Sequence, residues 1–179
     1  MKITASSEKE DLAIIGAGCA GLSLARRLVA TEKASGIKAR LYGPVSPAAT
    51  NGHSWGFWAT QGLTVQVGLA RQRWQKWQII TNEQKVTQTA DAHPYCRLDS
   101  RDWLTHCLKS INGHIPHEPD TLPITGTQPI FDSRLPAVPN GAMLQHFKGV
   151  EIKTAQPCFL PDTAILMDFR CDQSRGIHF

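Results

Sequence analysis

Three glycines, Gly16, Gly18 and Gly21, stand in a G-x-G-x-x-G spacing directly after the apolar run Leu12 to Ile15. This spacing suits one kind of chemistry. The first glycine permits a tight turn, the second lets a pyrophosphate approach the backbone, and the third lets a helix sit close on a strand. The phosphate charge then lies at a helix N-terminus, where free N–H groups and the helix dipole favour an anion. A plain glycine-rich turn has the same spacing, so the strand before it and the helix after it must carry the reading.

Other residues are also candidates for chemistry. Asp132, Ser133 and Arg134 end the short apolar run that starts at Pro129, and strand ends are where ligands are often met. Asp168 and Arg170 stand two apart and can pair. They read either as an ordinary ion pair or as a charged pair in a cavity, where the carboxylate stabilises a developing cation. Trp55, Phe57 and Trp58 form an aromatic cluster with Ser54 and Gly56. It serves either core packing or an aromatic wall against a flat or extended apolar ligand. His114, His117, Glu118 and Asp120 share a segment that Pro116 and Pro119 interrupt, so no helix holds the histidines at a fixed spacing and no metal site is expected.

The elements that must position these groups follow from periodicity. Leu12 to Ile15 read as a parallel strand covered on both faces. Leu22, Leu24, Ala25, Leu28 and Val29 continue with helical spacing, while Arg26 and Arg27 face outward. Ile37 to Tyr42 alternates as a second strand. Its end is where a dinucleotide site usually carries an acid for the ribose hydroxyls, and this chain has Gly43 and Pro44 there. From Leu63 to Leu69, Trp77 to Thr81 and Lys85 to Thr89 the pattern becomes short and alternating, with Asn82-Glu83 as a hairpin turn. Asp99 or Ser100 caps a helix running to Ile111, and His114 to Pro129 reads as loop. Met143 to Lys153 and Thr163 to Arg170 read as further strands, and the chain stops in mid-pattern at Phe179.

Composition sets outer bounds. With 179 residues, 41% hydrophobic and 19% charged, the chain suits a globular core. The net charge of +4 comes without a dense basic block, so no nucleic-acid partner is expected. The five cysteines are scattered, which suits reduced thiols in the cytoplasm. No run approaches the roughly 18 apolar residues that span a bilayer.

Taken together, DLAIIGAGCAGLSLARRL, SWGFW, PIFDSR, LQHFKGVEI and ILMDFRCDQSRGIHF resemble, in order, the bacterial lycopene cyclases, flavoproteins of carotenoid biosynthesis. The resemblance implies an α/β fold, a Rossmann-type βαβ start for FAD combined with an antiparallel substrate sheet. Residues 1–10 would be a disordered tail, residues 11–62 and 113–142 the nucleotide region, and residues 63–112 and 143–179 the substrate region. It implies cyclisation of the linear ψ ends of lycopene to β rings, with reduced FAD, NAD(P)H as electron source, and peripheral contact with the membrane that dissolves the carotenoid. Gly16, Ala17, Gly18, Ala20 and Gly21 would form the FAD pyrophosphate loop, with Asp132 and Arg134 near the cofactor. Asp168 and Arg170 would be catalytic, and Trp55, Phe57 and Trp58 would face substrate. The family usually has an acid in place of Gly43 and a cysteine or similar residue in place of Gly56. Its C-terminal half, with an acidic block and a second FAD contact, has no counterpart here, so a truncated chain, inactive alone, is expected. A small FAD- or NAD(P)-binding oxidoreductase and a non-catalytic carotenoid-binding remnant are the competing readings.

Overall fold

A computed structural model describes residues 12–46, 52–121, 128–142 and 149–179. The expected tail at residues 1–10 lies outside them. In chain order the first elements are β1 (Leu12–Ala17), α1 (Cys19–Ser35), β2 (Ala39–Val45), β3 (Ser54–Trp58), α2 (Thr64–Leu69), β4 (Gln72–Trp74), β5 (Lys76–Ile80) and β6 (Lys85–Thr89). Then follow β7 (Tyr95–Asp99), α3 (Ser100–Ile111), β8 (His117–Glu118), β9 (Ile130–Asp132) and β10 (Thr163–Asp168). The chain divides into two units, one formed by Met1–His53 with Asp99–Ala137, the other by Ser54–Leu98 with Val138–Phe179.

The first unit is a parallel sheet in the order β8-β2-β1-β9. Leu12 stands opposite Ala39, and Ala13, Ile14 and Ile15 stand opposite Ile130, Phe131 and Asp132. Ala13 and Ile14 are fully buried, as the unbroken apolar run requires of a central parallel strand. Leu22 and Ala25 of α1 are buried with Leu41 of β2. Helix α3 is capped by Asp99, whose carboxylate accepts from the Arg101 N–H at 2.9 Å.

Trp103, Leu104, Cys107 and Ile111 form the buried face of α3. The Trp103 indole donates to Ser23 Oγ at 3.0 Å, and the Arg26 guanidinium lies 5.3 Å from the Trp103 ring centroid. Burial of Leu104 and Ile111 contributes about 1.5–3 kcal/mol each, more than an exposed ion pair supplies. The sequence grouped residues 63–112 together, but α3 falls in the first unit, where it packs against α1. Conversely β3, grouped with residues 11–62, belongs to the second unit, where it neighbours β7. The loop expected over His114 to Pro129 contains β8, paired in parallel with β2 through Leu41 and Tyr42.

The second unit holds two three-stranded sheets, β10-β5-β6 and β3-β7-β4. The hairpin of β5 and β6 turns through Thr81 to Gln84, where Thr81 Oγ1 accepts from the N–H groups of Glu83 and Gln84. Two expectations fail. Strand β10 joins β5 in parallel, so that sheet is mixed. Leu63 to Leu69 is a turn leading into α2, because no side chain of that helix is buried and an alternating pattern fixes a strand only when one face is covered. The strand expected over Met143 to Lys153 lies partly outside the described residues, and Gly149 to Lys153 is not strand.

Candidate functional site

The glycine loop is built from inside. Gly16 has a φ of +98°, which favours glycine, and a Cβ there would stand 2.6 Å from Ser133 Oγ. A Cβ on Gly21 would stand 2.0 Å from the Gly16 carbonyl oxygen. The first and third glycines are therefore required by the protein's own packing. Gly18 differs: the nearest atom to a Cβ there is Ser46 Cβ, at 4.0 Å. Among the described residues, then, nothing crowds this bare backbone at the start of the 17-residue α1, whose first turn holds no acid. A phosphate group fits that position. Ala17 is buried in the sheet, whereas Ala20 is exposed in the first turn of α1. The Cys19 thiol is pushed up by partial burial, so it adds no negative charge near neutral pH.

Chain order reverses between β1 and β9, and crevices beyond the carboxyl ends of strands at such points bind ligands in open α/β sheets. Ser133 stands there and ties the two strands together. Its hydroxyl is shared between the carbonyls of Ile15 and Gly16, at 2.9 and 3.0 Å, and its N–H donates to Ile15 at 2.8 Å. The sequence brought Asp132, Ser133 and Arg134 forward together as the block near the cofactor, and of the three it is Ser133 that hydrogen-bonds the loop. A serine at a strand end gives no periodic signal, so its particular bonds to Ile15 and Gly16 are seen only in the fold.

Asp132 and Arg134 pair with one another. The carboxylate accepts from the Arg134 side chain at 2.6–3.2 Å and from its backbone N–H at 3.0 Å. Asp168 and Arg170 repeat the arrangement after β10, with contacts of 2.5–3.2 Å. In both cases the arginine hydrogen bonds are the main cause that holds the carboxyl down at about 2. Arg170 is 55% exposed and Asp168 34%. Of the two readings of this pair, the geometry has the ion pair.

Gly43 is not a vacant strand end. Strand β2 continues to Val45, and Gly43 and Pro44 together face Gly16 in a bulge, since Ile15 stands opposite Tyr42 and Ala17 opposite Val45. Gly43 has a φ of +93°, and a Cβ there would lie 3.7 Å from the Gly16 nitrogen. The His117 ring donates from Nε2 to the Gly43 carbonyl at 2.9 Å, and Glu118 accepts from Arg40 at 2.5 Å. Those two members of the supposed metal segment thus fasten the bulge and β8. Among the described residues no group of three or more His, Cys, Asp or Glu is placed to hold a metal. The position beside Gly18 is Ser46. We expect Gly43→Glu to cost about 1–3 kcal/mol of stability through backbone strain, without tightening FAD. Ser46→Glu should tighten it several-fold, and fluorescence titration of both variants checks this.

The aromatic cluster splits across β3. Trp55 and Phe57 are half-buried on one face, while Trp58 on the other lies 4.9 Å from Tyr95 and 5.7 Å from Trp77, centroid to centroid. Tyr95 also stacks on Trp74 at 6.1 Å. A cavity of about 700 Å³ opens beside Trp74 and Tyr95, and Phe159, Leu160 and Ile165 are also in its lining. Trp55, Phe57 and Trp58 do not line it. Among the described residues no helix is long and apolar enough to cross a membrane.

The family model described as lycopene cyclase protein matches residues 11–114 and 124–179. The chain belongs to the lycopene cyclase family. A comparison with curated proteins found no match. Among solved structures, this lycopene cyclase family member is similar to 2-methyl-3-hydroxypyridine-5-carboxylic acid oxygenase, at 14% identity and a TM-score of 0.48, over 64% of this chain and 32% of that one. It is also similar to CtdE in complex with FAD, at 12% identity and a TM-score of 0.40, over 63% of this chain and 30% of that one. It spans about a third of the length of these structures.

Proposed function

We propose that the chain is a lycopene cyclase-like flavoprotein, of the kind that cyclises the linear ψ ends of lycopene to β rings without net redox change, and that it does not carry out this isomerisation alone. The observation that carries this reading is the open backbone of Gly18 at the start of α1, in a chain of this family. The N–H groups of the loop and of the first turn of α1 would bind the FAD pyrophosphate, and Ser133 would keep the loop in shape. When bound, reduced FAD supplies the electron-rich group that cyclisation in this family requires, with NAD(P)H as the source of electrons. The second unit would take the carotenoid, since water must be kept from a carbocation. Peripheral membrane contact on the cytoplasmic side is supported by exposed Val150, Ile152, Phe159 and Leu160.

Binding without chemistry is the second reading, favoured by the ion-paired state of Asp132 and Asp168. The test is the visible spectrum of the purified chain after incubation with FAD and gel filtration. Retained flavin absorbance is expected. A chain that retains a carotenoid but no flavin would be a carotenoid-binding remnant, and the flavoprotein reading would fall.

A further inference from the structure

We infer that Trp74 and Tyr95 form the wall of a cavity for one end of an uncharged conjugated chain, and that Gly56 sets the width of this cavity by seating Tyr95. The inference rests on the carotenoid reading above and gives it a location different from the Trp55, Phe57 and Trp58 cluster. Its first support is the contact between Gly56 and Tyr95. A Cβ on Gly56 would stand 1.8 Å from the Tyr95 hydroxyl oxygen and 2.5 Å from Cζ. The tyrosine therefore lies where any other residue at position 56 would place a side chain. With Gly56 bare, the ring stacks on Trp74 at an interplanar angle of 27° and faces the cavity.

The second support is the chemistry of the lining, which among the described residues includes no charged side chain. Two of its polar members are engaged elsewhere. The Gln78 amide donates to Thr87 Oγ1 at 3.0 Å, and the Thr163 hydroxyl donates to Asp162 at 2.9 Å. A ligand bearing charge or many hydroxyls would lose its hydrogen bonds to water without replacement. A flat, conjugated, apolar chain loses none, and it lies well against stacked aromatic faces. The volume of about 700 Å³ is within the range of small-molecule pockets.

The test uses the whole chain and all-trans-retinol as probe, a conjugated apolar chain shorter than a carotenoid. Retinol fluorescence anisotropy gives the Kd, and urea denaturation of each variant reports whether the second unit remains folded. Trp74→Ala and Tyr95→Ala are each expected to weaken binding about tenfold. Gly56→Ala should weaken it about as much in the native background and have little further effect once Tyr95→Ala is present, because the residue acts only through the tyrosine. A general packing defect would instead add to the Tyr95→Ala loss. Retinol binding that stays within twofold in Trp74→Ala and Tyr95→Ala overturns this assignment alone. Failure of the unaltered chain to bind retinol overturns the carotenoid reading together with it.

Discussion

Gly21→Ala is expected to lower the unfolding free energy by about 3 kcal/mol, whereas Gly18→Ala should leave it within about 0.5 kcal/mol. Two effects oppose one another at Gly21. Alanine is the better helix former by about 1 kcal/mol. The added Cβ, however, would stand 2.0 Å from the Gly16 carbonyl oxygen, far inside contact distance. That oxygen belongs to backbone, and Ser133 holds it at 3.0 Å, so it has no free rotation by which to move away. The clash wins. At Gly18 nothing among the described residues lies closer than 4.0 Å and the backbone is unstrained, so folding should be unaffected. The same methyl group would occupy the space through which a pyrophosphate reaches the backbone. Gly18→Ala should therefore weaken FAD at least tenfold while its urea midpoint stays unchanged. Urea unfolding and FAD titration on the two variants measure both quantities. Equal stability of the two variants would show that Gly21 is not packed on the Gly16 carbonyl.

The sequence-level reading succeeds where local pattern and tertiary need coincide. Leu12 to Ile15 is unbroken apolar because β1 is central, and the glycines follow because α1 must sit on its end. Asp99 caps α3 through a contact two residues away, and the turn of β5 and β6 closes through Thr81. Each of these is a short-range event that residue types specify. The misses are long-range. Nothing in Thr163 to Asp168 states that its partner is β5 or that the pairing is parallel, because alternation reports faces and not neighbours. Gly43 looked like a lost acid because the bulge that lengthens β2 depends on Gly16 and on His117 of β8. The bonds of Ser133 to Ile15 and Gly16 and the seating of Tyr95 on Gly56 were hidden for the same reason. Both are contacts in which one residue has meaning only once its distant partner is in place.

Expressed alone in lycopene-accumulating bacteria, the 179-residue chain should yield no cyclic carotene. Cyclisation begins with protonation of a terminal double bond, which needs an acid that holds its proton at neutral pH in a dry pocket. Asp132 and Asp168 are the acids that the sequence brings forward, and each is held down at about 2 by hydrogen bonds from the arginine two residues on. At pH 7 such a group is protonated in only about one molecule in 10⁵. Both side chains also meet water, at 40% and 34% exposure. Their charge is matched by a bound guanidinium, so each pair has little net field with which to stabilise a distant cation. Among the described residues, the apolar cavity beside Trp74 and Tyr95 is lined by no Asp, Glu or His. It is suited to hold a polyene end and has nothing there to protonate it. Chromatography of the extracted pigments decides the matter. Any γ-carotene or β-carotene that disappears with Asp168→Ala would show that Asp168 is released from Arg170 during turnover and acts as the acid after all. Unchanged lycopene in both strains is the expected result, because neither Asp-x-Arg pair offers a carboxyl that keeps its proton at neutral pH.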